Sequence, residues 1–543
     1  MNSQAILISV YTRPVDPDAY PAGLANAVHF AFQRPGEAAR PLNRNYGMLF
    51  AEGYVSDEDT IVPLGVRKPT LFAMEDGWIG VDGQLVDERG DPAPRPAGDR
   101  FLWKTRDLIR FEAVGPVDGT SLARYAPAEA LAVPAAVAEL AVAYWSPIRS
   151  GKVLLPEAVD AERPSDLETV RAEVVYSDGS RALKGVDWDF GAVDFTVPGE
   201  YAVRGRVRRQ AFPFPLARGY GDPVLFRWEG KWHFLGTNDN LDDIGLYIRE
   251  ADTVQGLFAP DAVEHLILPF DPARGFEQTF WAPEWHIIGG QPYILFAVSG
   301  HAWGPQCHLM KLKPGGSVIR AEDWEDPVPV ARRDGSPLST DGITLDMTCI
   351  QAQSGAYMVW SYRRHIGTPM DTGSMLYIAT VDPASPWRLT SEPVLLTRPL
   401  YGWENVAGTI NNEGPHALIR DGRVYLAYSG GSANAYTYAL GLLTADGRDD
   451  LLRPASWDKA IAPALTFYSV PGEYGPGHNS FYQDESGEWM IAYHGETGLR
   501  EHLRCDGIRR VHFRADGAPY FQMSPEEDLP EAEREVCLRV RVK

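Results

Sequence analysis

The chain has 543 residues, a formal net charge of −22 and 44% hydrophobic residues. This acidic balance argues against nucleic acid and membranes as partners, because polyanions and anionic lipid bind clusters of lysine and arginine. The 52 glycines and 43 prolines favour short strands and turns over helices, so we expect an all-β protein with a neutral ligand.

The amino-terminal residues indicate the compartment. MNSQAILISVYTRP has no basic stretch, and its six-residue apolar run is too short for a signal sequence or a membrane span. The four cysteines form no CxxC pair, which is typical of buried thiols in a reducing compartment. We therefore expect a cytoplasmic protein, unless a leader was removed. The oligomeric state is left open.

Residues 1–120 contain one strand–turn–strand pattern, GVRKPTLFAMEDGWIGV, that parallels the pattern GYGDPVLFRWEGKWHFLGT further along the chain. FLWKTRDLIRFE, starting at Phe101, predicts a further strand followed by a short turn. Nine positions before the turn glycine Gly77 stands Lys68, not a carboxylate. We predict a non-catalytic, blade-like β segment that packs on the rest of the chain, because such a fragment cannot bury its apolar strands alone.

Residues 121–211 alternate apolar and polar positions between turn signals, which predicts a small β-sandwich. The segment resembles bacterial immunoglobulin-like modules in YSDG from Tyr176, in the pair Trp188 and Asp189, and in PGEYAVRG from Pro198. We therefore expect an inserted immunoglobulin-like module here.

Residues 212–543 repeat one hairpin pattern, a strand ending at a glycine turn and followed by an aromatic-rich strand. The turns recur every 60 to 67 residues, at Gly230, Gly290, Gly355, Gly422 and Gly487. A fixed period of this size indicates a radial repeat with one hairpin in each blade. We predict a five-bladed β-propeller followed by a carboxy-terminal tail.

One position of the repeat carries chemistry in every copy. Eight or nine residues before the five turn glycines stand Asp222, Trp281, Asp346, Glu413 and His478. Because the innermost strands of a propeller converge on its axis, we expect these side chains to share one pocket. Hydrolysis of a glycosidic bond needs an acid and a base, and a nearby like charge keeps the acid protonated.

Five motifs in order make the pattern specific. They are GDPVLF from Gly221, FWAPEWH from Phe280, TLDMTC from Thr344, NEGP from Asn412 and GPGHNSF from Gly475. This set resembles glycoside hydrolase family 43 over about residues 213–523. The resemblance implies that Asp222 is the general base and that Glu413 is the general acid. It implies that Asp346 raises the pKa of this acid and orients it. It also implies that His478 lies on the axis, near a calcium ion or water cluster. No cofactor is expected for the chemistry.

Several residues have competing interpretations. Asp341 rivals Asp346, but only Asp346 stands in register with the other copies. Glu404 is a spare carboxylate, which we interpret as a charge at a blade edge. Trp281 is predicted to stack on a sugar face, because apolar sugar faces pack well on indole.

Two further residues are predicted to bind substrate: Arg363, after the second strand of the third copy, and Asn238, at the end of the second strand of the first. Neither prediction assigns a chemical step to the residue.

We therefore predict an inverting exo-glycoside hydrolase that releases terminal α-L-arabinofuranose from plant-derived oligosaccharides or polysaccharide side chains. A β-D-xylosidase, galactofuranosidase or exo-galactanase of the same family is the alternative. From a different class, a non-catalytic glycan-binding propeller stays open, although binding alone would not need three carboxylates.

Overall fold

The computed structural model describes residues 5–93, 98–406 and 410–543. It is built almost entirely of strands, which confirms the predicted all-β class. The chain forms two compact units. The first comprises Met1–Ala138, Pro213–Tyr482 and Ile491–Ile508, and the second comprises Glu139–Phe212, Gln483–Met490 and Arg509–Lys543.

The elements of the amino-terminal part of the first unit are β1 (Ile6–Tyr11), α1 (Ala22–Ala25), β2 (His29–Gln33), β3 (Arg40–Pro41), β4 (Tyr54–Val55), β5 (Ile61–Val62), β6 (Gly65–Ala73), β7 (Ile79–Val86), β8 (Arg100–Thr105), β9 (Glu112–Val117) and β10 (Ala130–Val133). They form two four-stranded sheets, ordered β10-β1-β2-β3 and β6-β7-β8-β9, and a two-stranded ribbon, β4-β5. The strand predicted from Phe101 is confirmed as β8.

The sheet β6-β7-β8-β9 is an antiparallel meander like a blade. Its register shifts between Arg67 and Thr70, and Lys68 lies there in the left-handed region at φ 48°. The side chain of Lys68 is exposed.

The second unit contains the following elements, with α2 beginning in the first: α2 (Ala135–Trp145), β11 (Ser150–Leu154), β12 (Val159–Ala161), α3 (Pro164–Glu168), β13 (Ala172–Tyr176), β14 (Arg181–Lys184), β15 (Val186–Asp189), β16 (Gly199–Val207), β37 (His512–Phe513), β38 (Pro519–Tyr520), α5 (Pro525–Asp528) and β39 (Glu535–Val542). Its larger sheets are ordered β11-β13-β14 and β12-β39-β16-β15.

The carboxy-terminal strand differs from the sequence-based expectation of a tail on the propeller domain. β39 lies between β12 and β16, parallel to the first and antiparallel to the second. Its alternate residues Leu538, Val540 and Val542 are buried, and the first two pack in an apolar cluster around Trp188. The sandwich predicted for residues 121–211 therefore needs a strand from far along the chain, and its immunoglobulin-like kinship stays a prediction.

The propeller elements are β17 (Ala217–Arg218), β18 (Tyr220–Trp228), β19 (Lys231–Asn238), β20 (Leu246–Ala251), α4 (Val254–Leu257), β21 (Glu264–Leu268), β22 (Gln278–Ile288), β23 (Gln291–Gly300), β24 (Trp303–Lys311), β25 (Val328–Pro329), β26 (Gly342–Ala352), β27 (Gly355–Arg364), β28 (Met375–Thr380), β29 (Val394–Thr397), β30 (Asn412–Arg420), β31 (Arg423–Gly430), β32 (Ala439–Asp446), β33 (Asp458–Lys459), β34 (Tyr474–Gln483), β35 (Trp489–Glu496) and β36 (Cys505–Arg510).

These strands form five blades of four strands. The first four blades are consecutive meanders, β18 to β21, β22 to β25, β26 to β29 and β30 to β33. The fifth is ordered β34-β35-β36-β17, so the first strand of the propeller completes the last blade. The predicted five-bladed propeller is confirmed.

The amino-terminal segment packs on the propeller within the first unit. Tyr20, Tyr46 and Phe50 share one apolar core with the blade residues Trp403 and Phe467. Burial of such large side chains is worth about 1.5–3 kcal/mol each, which accounts for the association of the two parts.

Candidate active site

The first strands of the blades share a backbone irregularity near their beginnings. The register of the first four shifts there, and left-handed backbone occurs at Asp222, Ala282, Asp346, Gly414 and His478. A β-bulge re-aims the side chains beside it. Because this backbone irregularity recurs in each blade, the same position of the repeat carries the side chains predicted to share the pocket.

Gly414 shows why the NEGP motif needs its glycine. Its φ is 56°, and a Cβ added there would lie 2.9 Å from the ring of His478. Any larger residue would push the imidazole away from the carboxylate cluster.

Asp222 lies at the centre of a dense polar network and is 5% exposed. Arg504 donates from Nη1 to both carboxylate oxygens, over 3.0 and 3.1 Å. Thr237 donates from Oγ1 to Oδ2 over 2.5 Å, and Nδ1 of His478 lies 3.1 Å from Oδ1. Burial opposes the charge, but the cations Arg504 and His478 outweigh it and hold the pKa of Asp222 well below its usual range. Asp222 is therefore ionised throughout the physiological range.

Glu413 has the opposite electrostatic environment. Burial and the neighbouring carboxylate of Asp346 raise the pKa of Glu413 to about 7, against a hydrogen bond from the Tyr438 hydroxyl to Oε1 at 2.8 Å. A carboxyl with this pKa is largely protonated in weakly acidic solution, so it can donate a proton.

Asp346 connects these two groups. Its Oδ2 accepts hydrogen bonds from Ser361 Oγ at 2.9 Å and from the backbone N–H of Gly414, next to Glu413, at 3.1 Å. Burial and the charge of Asp222 raise the pKa of Asp346, while His478 lowers it. The rival Asp341 is exposed and accepts a hydrogen bond from Tyr362 instead. The structure therefore places Asp346, not Asp341, beside the strand that carries Glu413.

His478 is buried among the carboxylates. Burial disfavours its charged form, but Asp222, Asp346 and Glu413 outweigh this effect and raise the pKa of the imidazole. Calcium prefers six to eight oxygen ligands. The described residues hold no group of three or more His, Cys, Asp or Glu side chains arranged for a metal. The described side chains around His478 therefore do not fit a calcium ion. The calcium expected there from the sequence stays an expectation.

Trp281 and Arg363 have hydrogen-bond partners outside the carboxylate cluster. Trp281 is partly exposed and donates from Nε1 to Asp243 over 2.8 Å. Arg363 pairs with Asp371 and donates to Asn411, two residues before Glu413, over 3.2 Å. Their roles in substrate binding stay predictions.

Asn238 is engaged in local structure rather than in the carboxylate network. It is buried, its Oδ1 accepts from the backbone of Asn240, and its Nδ2 donates to Glu264. The preceding residue, Thr237, is the one that contacts Asp222.

Glu404 is not the edge charge that the sequence suggested. It is fully buried and pairs with Lys459 at 2.7 Å, and it accepts hydrogen bonds from Asn412 and Tyr428. It therefore anchors the residue before Glu413 rather than facing solvent.

The sequence analysis missed a second recurring position of the repeat, near the end of the second strand of each blade. The second strands of the blades end near Thr237, Ser299, Ser361, Ser429 and His494. Four of these residues bond to the residues at the first-strand position. Thr237 and His494 bond to Asp222, and Ser361 bonds to Asp346. Ser429 accepts a hydrogen bond from the backbone N–H of His478. A short polar residue recurring at this place was the available signal.

Other missed groups had no such signal. Arg504 follows the fifth repeat and has no counterpart in the other copies. Glu284 is buried between His416 and His286, at 2.9 and 3.2 Å. Burial opposes the charge of Glu284, but the two histidines lower its pKa to about 2.

Comparison with known proteins identifies the family. The family model described as glycosyl hydrolases family 43 matches residues 220–519. The chain belongs to this family. The predicted membership, made from five short motifs, is confirmed.

Several named proteins are similar to more than half of this chain. An extracellular exo-α-(1→5)-L-arabinofuranosidase of Streptomyces avermitilis is 31% identical over 321 residues, which are 57% of this chain and 63% of that protein. A protein of the same name from Streptomyces chartreusis is 31% identical over 62% of this chain and 95% of its own length. The chain thus spans less than two thirds of the first relative.

Among solved structures, an α-L-arabinofuranosidase from Lactobacillus brevis is 31% identical, covering 57% of this chain and 95% of that one, with a TM-score of 0.49. The two Streptomyces relatives are named extracellular, so the cytoplasmic expectation for this chain finds no support. In the described part of the chain, no helix has the length and apolarity needed to cross a membrane.

Proposed function

We propose that the protein is an inverting exo-α-L-arabinofuranosidase. The observation that carries this proposal is the opposed charge state of two carboxyls in one cluster. Asp222 is held ionised by Arg504 and His478, whereas the pKa of Glu413 is raised to about 7. A glycosidase needs this division between a base and an acid.

The reaction follows from these two states. Asp222 accepts a proton from water as the water oxygen bonds to the anomeric carbon, and Glu413 gives its proton to the leaving glycosidic oxygen as the old bond breaks. A single displacement inverts the configuration. Asp346 keeps Glu413 protonated through its own negative charge, and the hydrogen bond that it accepts from Gly414 fixes the strand that carries the acid.

The sugar and the mode of cleavage rest on the relatives. Two are named exo-α-(1→5)-L-arabinofuranosidases and two others, from Pyricularia oryzae and Humicola insolens, are named α-L-arabinofuranosidases. Terminal arabinofuranose on plant oligosaccharides is therefore the substrate that we infer, and extracellular action is the inferred location. A galactofuranosidase or exo-galactanase has no such support.

The test is a panel of aryl glycosides carrying arabinofuranose, xylopyranose, galactofuranose or galactopyranose. We expect the arabinofuranoside to have the highest kcat/KM, and proton NMR to detect the inverted anomer first. Preference for the xyloside would favour the β-xylosidase alternative. A retained product would contradict the single displacement, and binding without turnover of any sugar would favour a glycan-binding propeller.

A further inference from the structure

Residues 398–404, the connecting segment, have contacts with the amino-terminal segment on one side and with β30 on the other. Glu413 is the second residue of β30. The family model covers the connecting segment but not the amino-terminal segment. These contacts therefore join a part of the chain outside the family model to the proposed general acid.

Glu404 is the residue of the connecting segment that contacts β30. Its carboxylate is fully buried, and Oε1 accepts hydrogen bonds from Asn412 Nδ2 over 2.9 Å and from the Tyr428 hydroxyl over 2.8 Å. The backbone oxygen of Glu404 accepts a further bond from the N–H of Asn411 over 3.3 Å. The two residues directly before Glu413 are therefore both bonded to Glu404.

The orientation of the Glu404 carboxylate is fixed by the connecting segment itself and by β33. The backbone N–H of Tyr401 donates to Oε2 over 2.8 Å, and Lys459 Nζ lies 2.7 Å from Oε1. Lys459 also donates to the backbone oxygen of Arg398 over 2.9 Å. Because a buried ion pair is stable only with good geometry and further hydrogen bonds, a shift of this backbone would move the carboxylate.

The amino-terminal segment bonds to the same short stretch of backbone. The N–H of Gly53 donates to the backbone oxygen of Leu400 over 2.7 Å. Asp59 accepts from Arg398 twice, at Oδ1 over 2.6 Å and at its backbone oxygen over 2.9 Å. The path of the connecting segment is therefore set in part by residues far from it in sequence.

The closest approach is at the turn that contains Glu404. Gly402–Glu404 form one turn of 3-10 helix. A Cβ added to Gly23, in α1, would lie 2.6 Å from the carbonyl oxygen of Gly402, and one added to Gly402 would lie 2.5 Å from that of Gly23. Neither glycine can gain a side chain without a shift of the opposite backbone, so α1 limits where this turn can lie.

We propose that the amino-terminal segment positions the general acid through Glu404, so that Glu413 can pass its proton to the leaving glycosidic oxygen. Glu404 and Gly23 are positioning residues, and the amino-terminal segment supplies no acid or base. The proposal rests on the proposed function, because it concerns proton transfer from Glu413.

A displaced acid has a kinetic effect that a loss of stability does not have. General acid catalysis requires the acid to lie within hydrogen-bond reach of the leaving oxygen. A shift of Glu413 therefore slows methyl arabinofuranoside, whose leaving group needs a proton, and spares dinitrophenyl arabinofuranoside, whose leaving group does not. Partial unfolding lowers both rates equally, because it removes active enzyme. The ratio of the two kcat values, methyl to dinitrophenyl, separates these cases.

The test measures this ratio in the full chain with Glu404→Gln or with Gly23→Ala. Glutamine has one acceptor oxygen where glutamate has two, and the alanine pushes on the turn from the amino-terminal side. We expect each variant to lower the ratio about tenfold or more, since small misplacements of reacting groups cost rates of this order. KM for both substrates should stay close to that of the parent protein.

Each variant has a matched control. Asp528→Asn also removes a buried carboxylate that pairs with a lysine, Lys184 at 2.8 Å, but it lies in the second unit. Gly80→Ala also crowds a glycine of the amino-terminal segment, since its Cβ would lie 2.2 Å from the Phe72 ring in the sheet β6-β7-β8-β9. Both controls should leave the ratio unchanged, whatever their melting temperatures.

The proposal requires a lowered ratio in both test variants, and an unchanged ratio in either one would overturn it. If Glu404→Gln does not fold, Tyr428→Phe replaces it, because it removes one hydrogen bond to Glu404. If Gly23→Ala does not fold, Asp59→Ala replaces it, because it removes a bond to Arg398. Failure of the proposed function would show separately, as equal losses on both substrates in Glu413→Gln or as no hydrolysis of either by the parent protein.

Discussion

The hydroxyl of Tyr438 donates a hydrogen bond to Oε1 of Glu413 over 2.8 Å. This bond stabilises the ionised carboxylate and lowers the pKa of Glu413, against burial and Asp346, which raise it to about 7. Tyr438 is itself buried and stacks on His494, which contacts Asp222. One aromatic side chain therefore contacts the proposed acid directly and the proposed base through His494.

Tyr438→Phe should raise the pKa of Glu413 further, because it removes a hydrogen bond that favours the charged form. The acid works when protonated, so activity falls as pH rises through its pKa. The alkaline limb of kcat/KM against pH should therefore move to higher pH. Tyr436→Phe is the control, because no described residue bonds to the Tyr436 hydroxyl. A limb that moves downward would contradict this electrostatic account.

Glu413→Gln should reduce turnover of natural arabinosides by about 10³-fold or more, since the leaving oxygen then receives no proton. Aryl arabinosides with a leaving group of low pKa should lose far less, because they depart without protonation. Steady-state rates on a series of leaving groups measure the difference. Equal losses across the series would refute the acid role.

Asp346→Asn should lower the pKa of Glu413, because it removes a negative charge that raises it. The alkaline limb should shift to lower pH, opposite to the shift from Tyr438→Phe. Asp341→Asn is the matched control, since Asp341 is exposed and directly precedes β26, the strand that carries Asp346. If both variants left the profile unmoved, Asp346 would be a structural residue only.

Arg504→Gln should raise the pKa of Asp222, because the guanidinium is the main cation that lowers it. The base works when ionised, so the acidic limb of kcat/KM against pH should move to higher pH, and the loss of activity should grow as pH falls. Arg500→Gln is the control, as Arg500 is exposed and pairs with Asp18. An unchanged acidic limb in Arg504→Gln would show that Asp222 does not set it.

Asp59→Asn should lower the melting temperature by about 1 °C, which corresponds to about 1 kcal/mol for a partly exposed pair in a chain of this length. Asp59 joins the amino-terminal segment to Arg364 and Arg398, and these arginines hold the pKa of Asp59 below its usual value although burial raises it. The stabilisation is present above the unfolded pKa and is lost as pH falls through the folded one. Calorimetry at pH 7 and at pH 3 should therefore show a smaller difference at pH 3, and Asp57→Asn should show none.

The local sequence pattern was enough to predict the propeller and the side chains that the first strand of each blade places at the shared position. A blade is one local hairpin, so each copy carries its own turn glycine and its own chemical residue, and the period reveals their convergence. Asp222, Asp346 and His478 all proved to have the left-handed backbone that recurs at this position, and register alone favoured Asp346 over the exposed Asp341. Lys68 stands at the same bulge in the amino-terminal sheet.

The tertiary structure decided everything that depends on residues distant in sequence. Arg504 reaches Asp222 from 282 positions away, and nothing local predicts that meeting. Glu404 gains a buried partner in Lys459, which turns a supposed edge charge into an anchor for Asn412. β39 completes a sheet with β16 because both strands bury alternate apolar residues, a pairing across more than 300 residues. The repeat in the sequence determines which side chain each blade places in the shared pocket. The charge state of each of these side chains depends on neighbouring residues that only folding brings together.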